Sequence, residues 1–163
     1  EVVGIASQVV NPILIENPGE AKKIRKIKKA GIVSQSTQTI ENVQEIINIL
    51  MTKIFDLRFV NTICYPTKRN QSQIKELARL CDVVLIIGSF TSANSKRLSQ
   101  LSTLRNPNSH QITSAKDICP DWFLNAESVG ISAGASTPDN LIEEVVEFVK
   151  HLDPDMEKEM VYG

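Results

Sequence analysis

Composition assigns this chain to no function class, and what it lacks is informative. Its 18 Lys and Arg against 19 Asp and Glu leave a formal charge of −1, so no global field draws it to nucleic acid or an anionic membrane. No apolar run approaches the length of a membrane-spanning helix and no secretory signal is visible, so a cytoplasmic setting is expected. The 3 cysteines, Cys64, Cys81 and Cys119, are odd in number and far apart, which argues against both a disulfide framework and a CxxC zinc site. The 2 histidines, His110 and His151, are expected at a strand start and a helix end, so neither suits the base of a cysteine hydrolase. The Walker pattern GxxxxGK followed by Ser or Thr is missing, as is GxGxxG. Glu1 opens a strand-like run with no Met before it, so a fragment or processed piece is expected.

Apolar content of 42% over 163 residues suffices for one medium domain or two small ones. Short apolar runs alternate with helical patterns. "ILIE" (13–16) reads as a strand. Asn17-Pro18 then starts a helix running to about Lys29, with Gly31 just beyond it near the C-cap position. Within it "AKKIRKIKK" (21–29) places Ile24 and Ile27 at helical spacing, so its lysines read as a solvated face and not a phosphate patch. "GIVSQ" (31–35) is a strand, and "TIENVQEIINIL" a helix with Ile40, Val43, Ile46, Ile47 and Leu50 on one face. "DLRFVNTIC" is a weaker strand delivering Cys64 to a turn, and Asn70 to Leu80 is a helix with Ile74, Leu77 and Ala78 inward. "DVVLIIG" (82–88) is the nearly unbroken run of a strand buried on both faces of a parallel sheet. "NSKRLSQL" is a helix and "HQIT" a short strand; Ser114 and Pro120–Phe123 mark helical turns. "SVGIS" (128–132) is a strand, and "TPDNLIEEVVEFVKHL" a helix with Thr137 as N-cap, Pro138 at N1, and Leu141, Val145, Phe148, Val149 and Leu152 as core. This alternation predicts an α/β fold: two three-layer α/β units with mainly parallel sheets, residues 1–60 (incomplete at the N-terminus) and 61–163.

Where strands end, one chemistry repeats. "IVSQST" ends in Ser36-Thr37. "LIIGSFTSANS" ends in Ser89, Thr91, Ser92, Asn94 and Ser95. "VGISAGAST" ends in Ser132, Gly134, Ser136 and Thr137. Any one such turn reads more often as an ordinary helix cap than as a ligand site. Three together, at the carboxyl edge where open α/β sheets bind ligands, equip the chain to hold a phosphate or diphosphate on helix N-termini and hydroxyls. Cys64 lies at the same edge. As a lone thiol it reads as a small buried hydrophobe or as a metal ligand with partners elsewhere, while Cys81 and Cys119 read as structural.

The ordered set "NTIC–x–x–T", "GS–x–x–S–x–NS–x–RL" and "AGAS–x–P" resembles the C-terminal part of the LytB family of 4-hydroxy-3-methylbut-2-enyl diphosphate reductases, and the resemblance covers essentially the whole chain. "EVVGIASQ" is similar to the family's HPEVxGTxGQ segment, entered at its Glu, and "VSQST" to its SQTT turn. The resemblance implies the second and third lobes of a three-unit fold around an iron–sulfur cluster. It implies Cys64 as a ligand of a 4Fe–4S cluster that needs two further cysteines from the region before Glu1. It implies Glu1 as the carboxylate that relays protons, and Ser36 and Thr37 near the substrate's hydroxyl end. Thr67 matches the Thr three residues after the ligand. Ser92, Ala93, Asn94 and Ser136 match diphosphate-binding positions. Ferredoxin or flavodoxin is implied as electron donor. The sequence departs from the pattern at Ala93, where a Ser is usual, at Ser36 for Thr, at Pro66, in the reordered Lys68-Arg69-Asn70, and in "GIASQ", which lacks the Thr of GTxGQ. Two other readings are a phosphate-binding α/β module without redox chemistry and a remnant that docks on a separate N-terminal chain.

Overall fold

A computed structural model describes residues 1–152 of the chain. It divides into two compact units, residues 1–64 and the remainder from Tyr65.

In the first unit Glu1 is followed by a short helix, α1 (Val2–Ala6), where a strand-like run was expected. Residues 13–16, expected as a strand, join no sheet, and the polar backbone groups of Glu16 are taken up by helix residues instead. Glu16 N–H donates to Glu20 at 2.7 Å, and its carbonyl accepts from Asn42 Nδ2 at 3.1 Å. Helix α2 (Pro18–Lys23) begins where expected, with the Asn17 side chain accepting from Glu20 N–H. It stops six residues short of Lys29. Lys53 Nζ donates to the carbonyls of Lys22 and Ile24, a cationic cap on the helix C-terminus. Ile24 then turns extended, and strand β1 (Ile27–Val33) takes over the second half of the basic stretch, so Gly31 is a strand residue and not a cap.

Helix α3 (Ile40–Met51) carries Val43, Ile46 and Leu50 inward, while Ile40 is exposed. It crosses over to strand β2 (Ile54–Val60), which pairs parallel with β1, Ile27 opposite Ile54 and Val33 opposite Val60. A single apolar cluster of Ala21, Ile46, Leu50 and Ile54 joins both helices to this two-stranded sheet. The strand ends at Val60, so Cys64 sits four residues beyond it.

In the second unit helix α4 (Tyr65–Leu80) starts five residues earlier than expected, with Pro66 in its first turn. Pro is suited to that position because its missing N–H is one that a helix start leaves unpaired anyway. Strand β3 (Val83–Ile87) is fully buried. It is central in the order β4-β3-β5, with β4 (Ser109–Ile112) and β5 (Val129–Ala133) both parallel to it. Its side chains alternate between two cores. Val84 and Ile86 join Ile74, Leu77 and Ala78 of α4 and Leu98 and Leu101 of α5 (Ala93–Thr103). Val83, Leu85 and Ile87 join Val145, Val146 and Val149 of α6 (Asp139–Leu152), with Ala115 and Phe123 from two 3₁₀ turns (Ala115–Asp117 and Pro120–Phe123) and Ile118 between them. This unit is three layers deep. Phe148, expected in that core, is 37% exposed, and Val146 takes the place on the buried face.

Candidate functional site

The first unit gathers residues far apart in sequence. The turn after β1 presents Ser36, whose backbone N–H and hydroxyl both donate to the Glu1 carboxylate, at 2.8 and 2.9 Å. The Ser36 carbonyl accepts from Cys64 N–H at 3.4 Å. Thr37, half-buried, follows in the same turn, and Cys64 itself is exposed. The base of the turn is pinned by a second hydroxyl pair. Thr62 Oγ1 donates to the Ser34 carbonyl and accepts from Ser34 N–H at 2.9 Å. A carboxylate, two hydroxyls and a thiol thus share one edge of the β1–β2 sheet. Among the described residues no three His, Cys, Asp or Glu side chains are placed to hold a metal ion. One exposed thiol can be a ligand, but the donor set of an iron–sulfur cluster is not completed here.

In the second unit the carboxyl ends of β3 and β5 form a topological switch point, since the helices that follow them, α5 and α6, pack on opposite faces of the sheet. Such crevices bind ligands in open α/β folds. Ser92 caps α5, its hydroxyl accepting from Ser95 N–H at 3.3 Å. Ala93 is exposed at the first helical position, and Asn94 follows with its side-chain oxygen buried and unpartnered. Ahead of the cap, the Ser89 and Thr91 hydroxyls are 2.8 Å apart. Gln111 of β4 donates to the carbonyls of Gly88 and Ser89, at 3.1 and 3.0 Å, fixing the exit from β3. Across the switch point the Ile87 carbonyl accepts from Gly134 N–H at 2.9 Å and from the Thr137 hydroxyl at 3.0 Å. Thr137, expected as the cap of α6, is therefore committed to β3. Ser136 is exposed in the turn beside it, and Thr67 is buried in the first turn of α4.

Within its unit, then, each hydroxyl turn lies at a strand's carboxyl end. Ser95 is 1% exposed, and its position in a hydroxyl-rich turn was the only signal available. Gln111, a residue of the short strand β4, carried no such signal in the sequence. The one histidine of a strand, His110, stacks on Trp122 with ring centroids 3.7 Å apart, and burial lowers its pKa.

The LytB protein family model matches residues 1–150. The chain is 39% identical over 154 residues to the 4-hydroxy-3-methylbut-2-enyl diphosphate reductase of Geobacter metallireducens, covering 94% of this chain and 55% of the relative. It is 39% identical over 155 residues to the reductase of the same name from Dictyoglomus thermophilum, covering 94% and 54%. The chain spans about half the length of the curated relatives it matches. A solved (E)-4-hydroxy-3-methyl-but-2-enyl diphosphate reductase, the terminal enzyme of the non-mevalonate pathway, is 40% identical with a TM-score of 0.55, covering 82% of this chain and 46% of that one. The Plasmodium falciparum E-1-hydroxy-2-methyl-but-2-enyl-4-diphosphate reductase superposes with a TM-score of 0.82 at 23% identity, over 91% and 48%, a likeness of fold. Its sequence matched along nearly every described residue and its parallel α/β architecture shared with solved members, the chain belongs to the LytB family.

Proposed function

We propose that the chain supplies the proton-donating, hydroxyl-binding and phosphate-binding parts of a reductase that removes the allylic hydroxyl of 4-hydroxy-3-methylbut-2-enyl diphosphate. The reaction consumes two electrons and two protons, breaks the C–O bond, and releases one water with isopentenyl or dimethylallyl diphosphate. Hydroxide is a poor leaving group, so the departing oxygen needs a positioned acid. Glu1 fills that role, oriented by its two hydrogen bonds from Ser36. Ser36 and Thr37 face the hydroxyl end of the substrate, with Thr67 as a further substrate contact. The α5 turn with Ser92 and Asn94, and Ser136, hold the diphosphate, while Ala93 contributes only its backbone N–H. An iron–sulfur cluster, when bound, supplies the electrons, with Cys64 as one thiolate and the remaining ligands from outside the described residues. The donor class is a ferredoxin or flavodoxin, and the setting a reducing cytoplasm.

The observation that carries this reading is the junction of Glu1, Ser36 and Cys64. Three positions read separately from motifs meet through 2.8, 2.9 and 3.4 Å hydrogen bonds. The chain alone is expected to be colourless and inactive. Co-expression with the part of the Geobacter metallireducens reductase that it does not cover is expected to yield a brown, active assembly. Iron at full stoichiometry in Cys64→Ser would sink the ligand assignment, and cluster absorbance in the chain alone would contradict the shared donor set. The switch point of the second unit favours a second reading, a phosphate-binding module without redox activity. Calorimetry with inorganic diphosphate in both preparations, beside reductase turnover, separates the two: binding without turnover in the assembly selects the module.

A further inference from the structure

The first turn of α5 is seated by a feature that none of its phosphate-facing groups explains. Neither Gly88 nor Gly134 has a positive φ, so backbone conformation does not demand glycine at either place. Space does. A Cβ on Gly88 would lie 2.2 Å from Ser95 Oγ and 2.9 Å from Ser95 Cβ, and a Cβ on Gly134 would lie 2.6 Å from Ser95 Oγ. Contacts that close do not occur between real side chains. The two glycines end neighbouring strands, and together they open a notch one side chain wide. Ser95 fills it, at 1% exposure.

Resting on the diphosphate reading of this unit, we propose that Ser95 is a positioning residue. It keys the N-terminal turn of α5 into the Gly88–Gly134 notch and so sets where Ser92 and Asn94 stand relative to the ends of β3 and β5. The backbone N–H of Ser95 is the donor that the Ser92 cap accepts, so any displacement of Ser95 moves the cap with it. Small size, not hydroxyl chemistry, is what the notch selects at Gly88, where the Cβ–Cβ approach leaves no rotamer that relieves the clash. At Gly134 the only approach under 3.4 Å is to the hydroxyl oxygen. The two glycines therefore differ in how they can be rescued.

The test uses the full chain, thermal unfolding and calorimetric titration with inorganic diphosphate. Gly134→Ala is expected to lower the unfolding midpoint and weaken diphosphate binding about tenfold or more, the scale of effect that a displaced binding group produces. Adding Ser95→Ala should restore both to the values of Ser95→Ala alone. Gly88→Ala should not be rescued by Ser95→Ala, but should be rescued in part by Ser95→Gly. Ser95→Ala alone vacates the space beside Gly134 that the hydroxyl oxygen fills; by loosening the fit it is expected to weaken diphosphate several-fold with little change in midpoint, a split that a purely structural role would not give. Losses that simply add in the Gly134→Ala, Ser95→Ala double variant, or rescue of Gly88→Ala by Ser95→Ala, would overturn the inference, even where Gly134→Ala alone fails to fold. Rescue of stability in a chain whose parent form binds no diphosphate would leave the key in place and overturn the phosphate reading.

Discussion

At the scale of single residues, the proposed proton delivery rests on how few groups hold Glu1. Ser36 grips the carboxylate through its backbone and its side chain, so Ser36→Ala removes one of two bonds and leaves the other. Reductase turnover in the co-expressed assembly should fall about tenfold in Ser36→Ala, and by about two orders of magnitude or more in Glu1→Gln, which cannot deliver a proton. Affinity for the allylic diphosphate should change far less in both, and a steady-state assay paired with calorimetry checks the split. An equal loss of affinity and turnover would make Glu1 a binding group only. Little of this was legible from residue types. A Glu, a Ser and a Cys scattered over 64 positions carry no common signal until a family pattern orders them. Ser95 was less legible still, because the residues that close on it, Gly88 and Gly134, follow strands β3 and β5 in different parts of the chain.

At the scale of elements, sequence and structure agree where burial is one-sided or total. Strand β3 was readable because a strand covered on both faces needs apolar residues at every position, and α3 because its inward positions repeat at helical spacing. The errors lie where a distant group intervenes. Helical periodicity runs on to Lys29, but Lys53 from the segment before β2 caps the carboxyl end of α2 and frees Ile27 to pair with Ile54. Removing the ammonium with Lys53→Met should therefore lower stability by about 1 kcal/mol or more, through carbonyls left without a donor. At the other end of the crossover, Thr39 is buried and its hydroxyl accepts from Asn42 N–H at 3.2 Å. Thr39→Ala should reduce stability by about 1 kcal/mol in urea unfolding, the usual value of a lost N-cap.

At the scale of the whole molecule, stability should decline in acid in two steps of known sign. His110 is held below the usual histidine range by burial. The unfolded chain therefore takes up the proton first, and stability begins to fall as pH drops below about 6.5. Asp82 is held below the usual carboxylate range chiefly by the N–H of Glu127, with Ser128 adding its hydroxyl and N–H. Asp117 is lowered foremost by the Thr113 hydroxyl. Their contribution is complete above the ordinary carboxylate pKa of about 3.9 and disappears as pH falls through the lower folded values. Both carboxylates are exposed, so each effect is small. Asp82→Asn should unfold a few degrees lower at pH 7 and show a flatter midpoint against pH below 4, measured by calorimetric scans.

Strand β3 is paired on both edges and covered on both faces. Its amide protons have no small fluctuation through which to reach solvent. The hydrogen-exchange rates of Val84 to Ile87 should therefore track the global unfolding free energy of the second unit, while amides of the exposed turn just beyond Gly88 exchange through local opening. One strand thus serves as the slowest clock in that unit. Comparing it with the turn would tell, site by site, whether a bound diphosphate stiffens the edge alone or stabilises everything behind it.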